Sequence, residues 1–124
     1  MEIQIQNIAL KPVFEKFEQL EAEKISLGVK HRIKKIKAKL TEHFKSYNES
    51  HVELLIKHGA VTDENKNTSL AQDKITPEFN ADFFELANLT NTITFDGIDF
   101  NMIEKLETEN DYLSLLEPFF ENIN

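Results

Sequence analysis

"VKHRIKKIKAKLTEHFKSYNESHVELLIKH", residues 29–58, decides how this chain folds. Val29, Ile33, Ile36, Leu40, Phe44, Tyr47, His51, Leu54 and His58 recur every three or four residues. At about 100° per residue, that spacing confines them to roughly a third of a helix's circumference. The pattern predicts one amphipathic helix of about thirty residues, roughly 45 Å long at a rise of about 1.5 Å per residue, with Gly59 as its stop. A rod of that length overhangs the rest of a small domain or finds a partner.

The first third of the rod is basic. Lys30, Arg32, Lys34, Lys35, Lys37 and Lys39 meet no acid between residues 29 and 40, in a chain of formal net charge -8. Charge is therefore regional: residues 24–45 hold eight Lys or Arg against Glu42, a net of +7, and residues 60–124 hold fourteen acids against three Lys, a net of -11. The cations fall outside the apolar stripe and spread over the other two thirds of the helix, as on a solvated face. A helix that reads DNA concentrates its bases on one groove, within a helix-turn-helix or similar frame, and its attraction for phosphate must overcome any acidic bulk. Neither condition is met, so the reading favours a solvated face or a protein contact over nucleic acid. It goes against a membrane surface as well, because the opposite face is needed for the core. The basic stretch is complementary to the acidic C-terminal part, either within one chain or head to tail between copies.

The flanking elements follow from the same patterns. "EIQIQ" (2–6) alternates as a strand does, but is too short to stand without a pairing partner. From about Asn7 to Lys24, Leu10, Phe14, Phe17 and Leu20 mark a first helix, and Gly28 suggests the turn into the second. Residues 60–75 lack any period and read as an exposed loop. Thr76 before Pro77 caps a third helix that buries Phe79, Phe83, Leu86 and Thr90. "TITFDGIDF" (92–100) predicts a hairpin turning at Asp96-Gly97, with Phe95 opposite Ile98 and Ile93 opposite Phe100. Residues 101–107 suit a helical turn or a strand end, and Thr108 is expected to cap a short helix burying Tyr112, Leu113 and Leu116 before Pro118 stops it. The expected fold class is α+β, mainly helical: a long antiparallel helical hairpin, a C-terminal helix and a small antiparallel β-hairpin or sheet to which strand 2–6 adds. One domain, 1–124, is expected, with 1–59 as the helical hairpin and 76–124 as the acidic helix, β-hairpin and short helix.

Composition bounds the chemistry. Hydrophobic residues make up 40% of 124, and ten of the twelve aromatics are Phe, enough to form a core without staples. The absence of Cys excludes disulfides, thiolate nucleophiles and Cys-ligated zinc, and suits a reducing cytoplasm. "MEIQIQNIALKP" has no signal-peptide pattern and no run approaches 18 apolar residues, so a protein neither exported by that route nor embedded in a membrane is expected.

His43, His51 and His58 share one side of the long helix, but are separated by eight and seven residues, more than about 10 Å, too far for one ion. His51 and His58 read as partly buried stripe residues with hydrogen-bonded rings. "DENKN" (63–67) opens like a calcium loop, yet its sixth position is Thr68 and its twelfth Lys74. There is no G-x-S-x-G, and three Gly make a phosphate cradle untenable. No catalytic residue, cofactor or metal is expected.

Phe14, Phe17, Phe44, Phe79 and Phe83 are accounted for as core. The neighbours Phe83-Phe84 and Phe119-Phe120 cannot both face inward on one helix, because adjacent residues lie about 100° apart. One of each pair is a surface candidate beside acids, or the core face is widened. Phe84, Phe119 and Phe120 therefore join Lys30, Arg32, Lys34, Lys35, Lys37 and Lys39 as candidate partner-binding residues.

An opening helix is followed by "ISLGVKHRIKKIKAKL" (25–40), "YNESHVELLIKHGAVTDENKN" (47–67), "FNADFFELANLTNTITFDGIDF" (79–100) and "LSLLEPF" (113–119). In this order of features the chain resembles a family of small tailed-bacteriophage proteins grouped as a domain of unknown function. The likeness is one of plan across nearly the whole chain, and it brings no catalytic residue to map. It implies a phage or prophage origin, with the host bacterial cytoplasm or the virion as location. The expected function is non-catalytic: a virion or assembly component acting through protein-protein contact, with another protein or with itself as a homo-oligomer. The alternative is a phage-encoded inhibitor whose acidic C-terminal surface engages a host nucleic-acid-handling or defence protein.

Overall fold

A computed structural model describes residues 1–123. Strand β1 (Glu2–Gln6) leads through a 3-10 turn (Asn7–Ala9) into helix α1 (Leu10–Glu21), which folds back on helix α2 (Leu27–Lys57). A two-residue ladder, β2 (Val61–Thr62) with β3 (Thr68–Ser69), and a second 3-10 turn (Gln72–Lys74) lead to α3 (Pro77–Asn88). Strands β4 (Thr90–Thr94) and β5 (Ile98–Asp99), helices α4 (Phe100–Glu104) and α5 (Leu113–Leu116), a third 3-10 turn (Glu117–Phe119) and strand β6 (Phe120–Glu121) complete the order. The fold is α+β and mainly helical, as the periodicity predicts.

The long helix is continuous. Ser26 opens it by accepting a hydrogen bond from the Val29 amide at 3.2 Å, and Gly59 ends it at φ 95°, a left-handed conformation that costs glycine little. Gly28 lies inside the first turn; the connection between the helices is residues 22–26, earlier than the sequence suggested. With 31 residues, α2 spans about 46 Å, against about 18 Å for the 12 residues of α1. The two-helix hairpin is therefore unequal, and the overhanging end of α2 packs against α3 instead.

That inequality divides the apolar stripe. Val29, Ile33, Ile36 and Leu40 are buried against Leu10, Val13, Phe17 and Leu20 of α1, each such side chain contributing about 1.5–3 kcal/mol. Val13 rather than Phe14 completes this face; Phe14 lies at its edge. Past Leu40 no residue of α2 is fully buried, and Phe44, expected in the core, is 38% exposed. Here Tyr47, His51, Phe83, Phe79 and His58 form a row of neighbouring rings, with centroids 5.3 to 6.4 Å apart, that joins α2 to α3. Thr76 caps α3 as read, accepting from the Phe79 amide at 3.2 Å, but Thr90 is exposed and begins β4.

The predicted hairpin at 92–101 does not form. Strand β4 pairs antiparallel with β1, Ile3 opposite Ile93 and Gln4 opposite Thr92, and Met1 and Phe95 extend the ladder through backbone bonds of 2.8 and 2.9 Å. Strand β5 pairs in parallel with β6, Ile98 opposite Phe120, and Phe100 belongs to α4. A type I′ turn needs positive φ at both central residues, and neither Asp96 nor Gly97 has it. Gly97 serves close approach instead: a Cβ there would overlap the side chains of Met1, at Sδ, and Glu121, at Cγ.

The C-terminal segment closes the core. Phe119 ends the third 3-10 turn and Phe120 starts β6, so the change of backbone conformation after Pro118 sends both rings inward. They are 1% and 4% exposed, with Phe119 5.0 Å from both Phe17 and Phe95 and Phe120 5.5 Å from Phe100. Neither is a surface anchor, because the single-helix geometry assumed for the pair does not occur. Thr108 does not cap α5, whose N-cap is Tyr112; Asp111, just before it, accepts from the amides of Leu113 and Ser114, and its bonds from the Ser114 hydroxyl and amide hold its carboxyl below the usual range. Leu113, expected to be buried, is 37% exposed.

Candidate interaction surface

The basic side chains of α2 fall on two flanks of its apolar stripe. At about 100° per residue, Arg32, Lys35 and Lys39 share one flank, and Lys30, Lys34, Lys37 and Lys45 share the other. The second flank faces α1. There Lys37 Nζ lies 2.5 Å from Glu21 Oε1 and 4.8 Å over the Phe14 ring, with both charged side chains about one-fifth exposed. Partial desolvation strengthens such a pair, so Lys37 is a structural cation rather than a solvated one. Lys34 is exposed and Lys30 half-exposed, and among the described residues neither pairs with a carboxylate.

The first flank faces the strands. Arg32 donates to the carbonyl of Gly97 and Lys39 to the carbonyl of Thr94. The expectation that these lysines and arginines merely face water is corrected at Arg32, Lys37 and Lys39, each of which has a partner within the chain. Arg32, Lys35 and Lys39 line a shallow cavity of about 260 Å³ with Met1, Thr94, Phe95 and Asp96. Backbone carbonyls cannot neutralise a cation, so the charges of Arg32, Lys35 and Lys39 stand beside the acid Asp96 without being cancelled by it. Contact between the basic stretch and the acidic C-terminal part does occur within one chain, but through carbonyls. Among the described residues, no ion pair links residues 24–45 to residues 60–123.

The 105–112 loop, which carries Glu107, Glu109 and Asp111, is anchored beside the turn between α1 and α2. Tyr112 donates to Glu23 Oε2 at 2.7 Å, fastening the 105–112 loop to the turn between α1 and α2. Hydrogen bonds from Thr108 and Tyr112 hold the Glu23 carboxyl below its ordinary range, while burial and the bond to Glu23 push the Tyr112 hydroxyl up to about 12. Glu104, Glu107 and Glu109 stay exposed around this anchor.

Phe84 is 63% exposed on the outer side of α3, while its neighbour Phe83 turns toward His51, with ring centroids 5.4 Å apart. This pair divides as helix geometry requires. His58 Nε2 lies 3.0 Å from Asp82 Oδ2, which Lys57 also approaches at 3.3 Å, and these bonds, that from His58 foremost, hold the Asp82 carboxyl below its usual range. His51 stacks on Tyr47 without a hydrogen bond to its ring among the described residues. No group of three or more His, Asp or Glu is placed to hold a metal ion among the described residues. Among the described residues, no helix is long and apolar enough to cross a membrane.

A groove of about 370 Å³ between α1 and α2 went unread in the sequence. Leu10 and Leu40 form its floor, Phe14 and Phe44 its walls, and Lys11, Glu15 and Glu18 its rim. The signal was the length mismatch of the two helices, which uncovers the stripe at Phe44.

Compared with family models, curated proteins and solved structures, the chain finds no match.

Proposed function

We propose that this is a non-catalytic phage or prophage protein that works through protein-protein contact, as a virion or assembly component that self-associates. The observation that carries the contact reading is the cationic flank of α2. Arg32, Lys35 and Lys39 stand on a rigid rod, backed by strand carbonyls and without a carboxylate to pair with among the described residues. Complementary charge steers association and sets orientation, and a cationic shelf on a chain of net charge -8 is complementary to further copies of the same chain. The phage origin is supported by the sequence plan described above.

Light scattering across protein concentration and NaCl tests this. A mass above the 14.4 kDa monomer at low salt, falling as screening shortens the Debye length from about 30 Å at 0.01 M to about 3 Å at 1 M, is the expected result. A strict monomer under all conditions overturns self-association.

A second reading, an inhibitor that presents its acidic surface to a host nucleic-acid-handling or defence protein, is favoured by the exposed Glu104, Glu107 and Glu109. Its mark is capture of a host protein from lysate that added DNA competes away. Retention on a DNA column that weakens with salt would instead favour direct nucleic-acid binding.

A further inference from the structure

The sheet formed by β1 and β4 has only two strands, so each strand keeps an outer edge. Met1 and Phe95 exchange both backbone bonds, and further along the Asn7 amide donates to the Leu89 carbonyl. Alternation along an antiparallel ladder therefore points the amides and carbonyls of Ile3 and Ile5 at β4, and those of Glu2 and Gln4, with the Gln6 amide, away from it. On β4 the outward residues are Thr90, Thr92 and Thr94, and there Lys39 of α2 donates to the Thr94 carbonyl. A lysine is a common guard of an open edge. The β1 edge has no such guard. Its outward amides and carbonyls find no partner among the described residues, Glu2, Gln4 and Gln6 are exposed, and the strand carries no Lys, Pro or bulge.

We propose that β1 pairs with β1 of a second copy of this chain, antiparallel about a two-fold axis at Gln4, to make one four-stranded sheet in the order β4-β1-β1-β4. The proposal rests on the self-association proposed above, through a surface that owes nothing to the cationic shelf. What singles out a second copy is that the edge matches itself, as an isologous contact requires. About an axis at Gln4, Glu2 of one copy stands opposite Gln6 of the other, so like charges do not meet. Ile3 stands opposite Ile5, so the apolar side chains of both copies stay on one face of the joined sheet. The two Gln4 residues exchange both backbone bonds, and each Gln6 amide meets a Glu2 carbonyl, which satisfies the groups that β4 leaves free.

Light scattering in about 1 M NaCl, where the Debye length is about 3 Å, isolates this contact from a charged one. The wild type is expected to hold there at two chains, twice the 14.4 kDa monomer. Gln4→Pro removes an amide that β4 does not use, after a residue, Ile3, that is already extended as proline requires. It is expected to keep the wild-type circular dichroism and to weaken pairing by about tenfold or more. Gln4→Lys and Gln4→Glu give a second test at the same exposed position. Each alone sets identical charges face to face across the axis and is expected to pair more weakly than wild type at physiological ionic strength, whereas an equimolar mixture is expected to recover pairing. A wild type that associates at low salt but is monomeric in concentrated salt overturns the edge pairing and leaves the charged contact standing. A salt-resistant pair that a folded Gln4→Pro leaves unchanged overturns it too, as does a mixture that pairs no better than either variant alone. A salt-resistant pair lost in Gln4→Pro, with no added mass at low salt, supports the edge and removes the charged contact. A wild type that never associates removes both readings.

Discussion

Asn91 Nδ2 donates to Asn7 Oδ1 at 2.9 Å, joining side chains 84 positions apart in the sequence. Asn7 Nδ2 donates in turn to the Leu86 carbonyl at 2.8 Å, and the Asn7 amide donates to the Leu89 carbonyl at 2.9 Å. One small amide thus ties the start of α1 to the end of α3 and to β4. Asn7 is the one buried polar residue among those described, and its side chain is satisfied on both sides. Replacing it with Ala strands the Leu86 carbonyl and one bond of Asn91. A loss of about 1–3 kcal/mol in urea unfolding is expected, with the slope unchanged.

The two inward Phe rings and the outward one are expected to differ sharply. Phe119→Ala empties a site that touches Phe17 and Phe95, and a cost of about 3–5 kcal/mol is expected. Phe84→Ala removes an exposed ring and is expected to stay within about 0.5 kcal/mol of wild type. Chemical denaturation of both variants checks the assignment, and comparable losses would contradict it.

Stability should fall at both ends of the pH range. Glu23, Asp82 and Asp111 all have folded-state values depressed below their ordinary 4.5, 3.8 and 3.8. Their contribution is fully present above those ordinary values and is lost as the pH falls through the depressed ones. Tyr112 is raised from 10.0 to about 12, so its contribution is present below pH 10 and is lost between there and about pH 12. Melting temperatures across pH read both limbs. Tyr112→Phe is expected to flatten the alkaline one, and Asp82→Asn to make the acid one shallower.

Gly97 is expected to tolerate no branched side chain. Its neighbours Met1 Sδ and Glu121 Cγ can shift for a single methyl, so Gly97→Ala should cost about 1 kcal/mol, whereas Gly97→Val should cost about 2–3 kcal/mol through overpacking. Thermal melts of the two variants give the comparison. A stabilised Gly97→Ala would show the site to be roomier than this.

The helices were legible because their signals are local. The stripe from Val29 to His58, the Thr76-Pro77 cap and the outward Phe84 each depend on residues within a few positions of one another. The hairpin misled because Asp96-Gly97 satisfies a local rule, while the competing strand, β1, lies some ninety residues earlier and the crowding at Gly97 comes from Met1 and Glu121. Phe119 and Phe120 misled for a related reason: a helical wheel does not apply where a 3-10 turn gives way to a strand. For the cations, the sequence contained the angular position of each side chain but not the neighbour waiting there. Lys37 meets the acid of α1, and Arg32 and Lys39 meet carbonyls of the strand region.

The division of α2 at Leu40 has a dynamic consequence. Backbone amides of residues 33–40 are expected to exchange with deuterium only when the whole domain unfolds, since the side chains beneath them are fully buried. Those from about 48 to 57 lie over half-covered rings and should exchange through a smaller opening in which α3 lifts away. A single uninterrupted helix would then belong to two cooperative units, one permanent and one that yields, with the cationic shelf mounted on the permanent one.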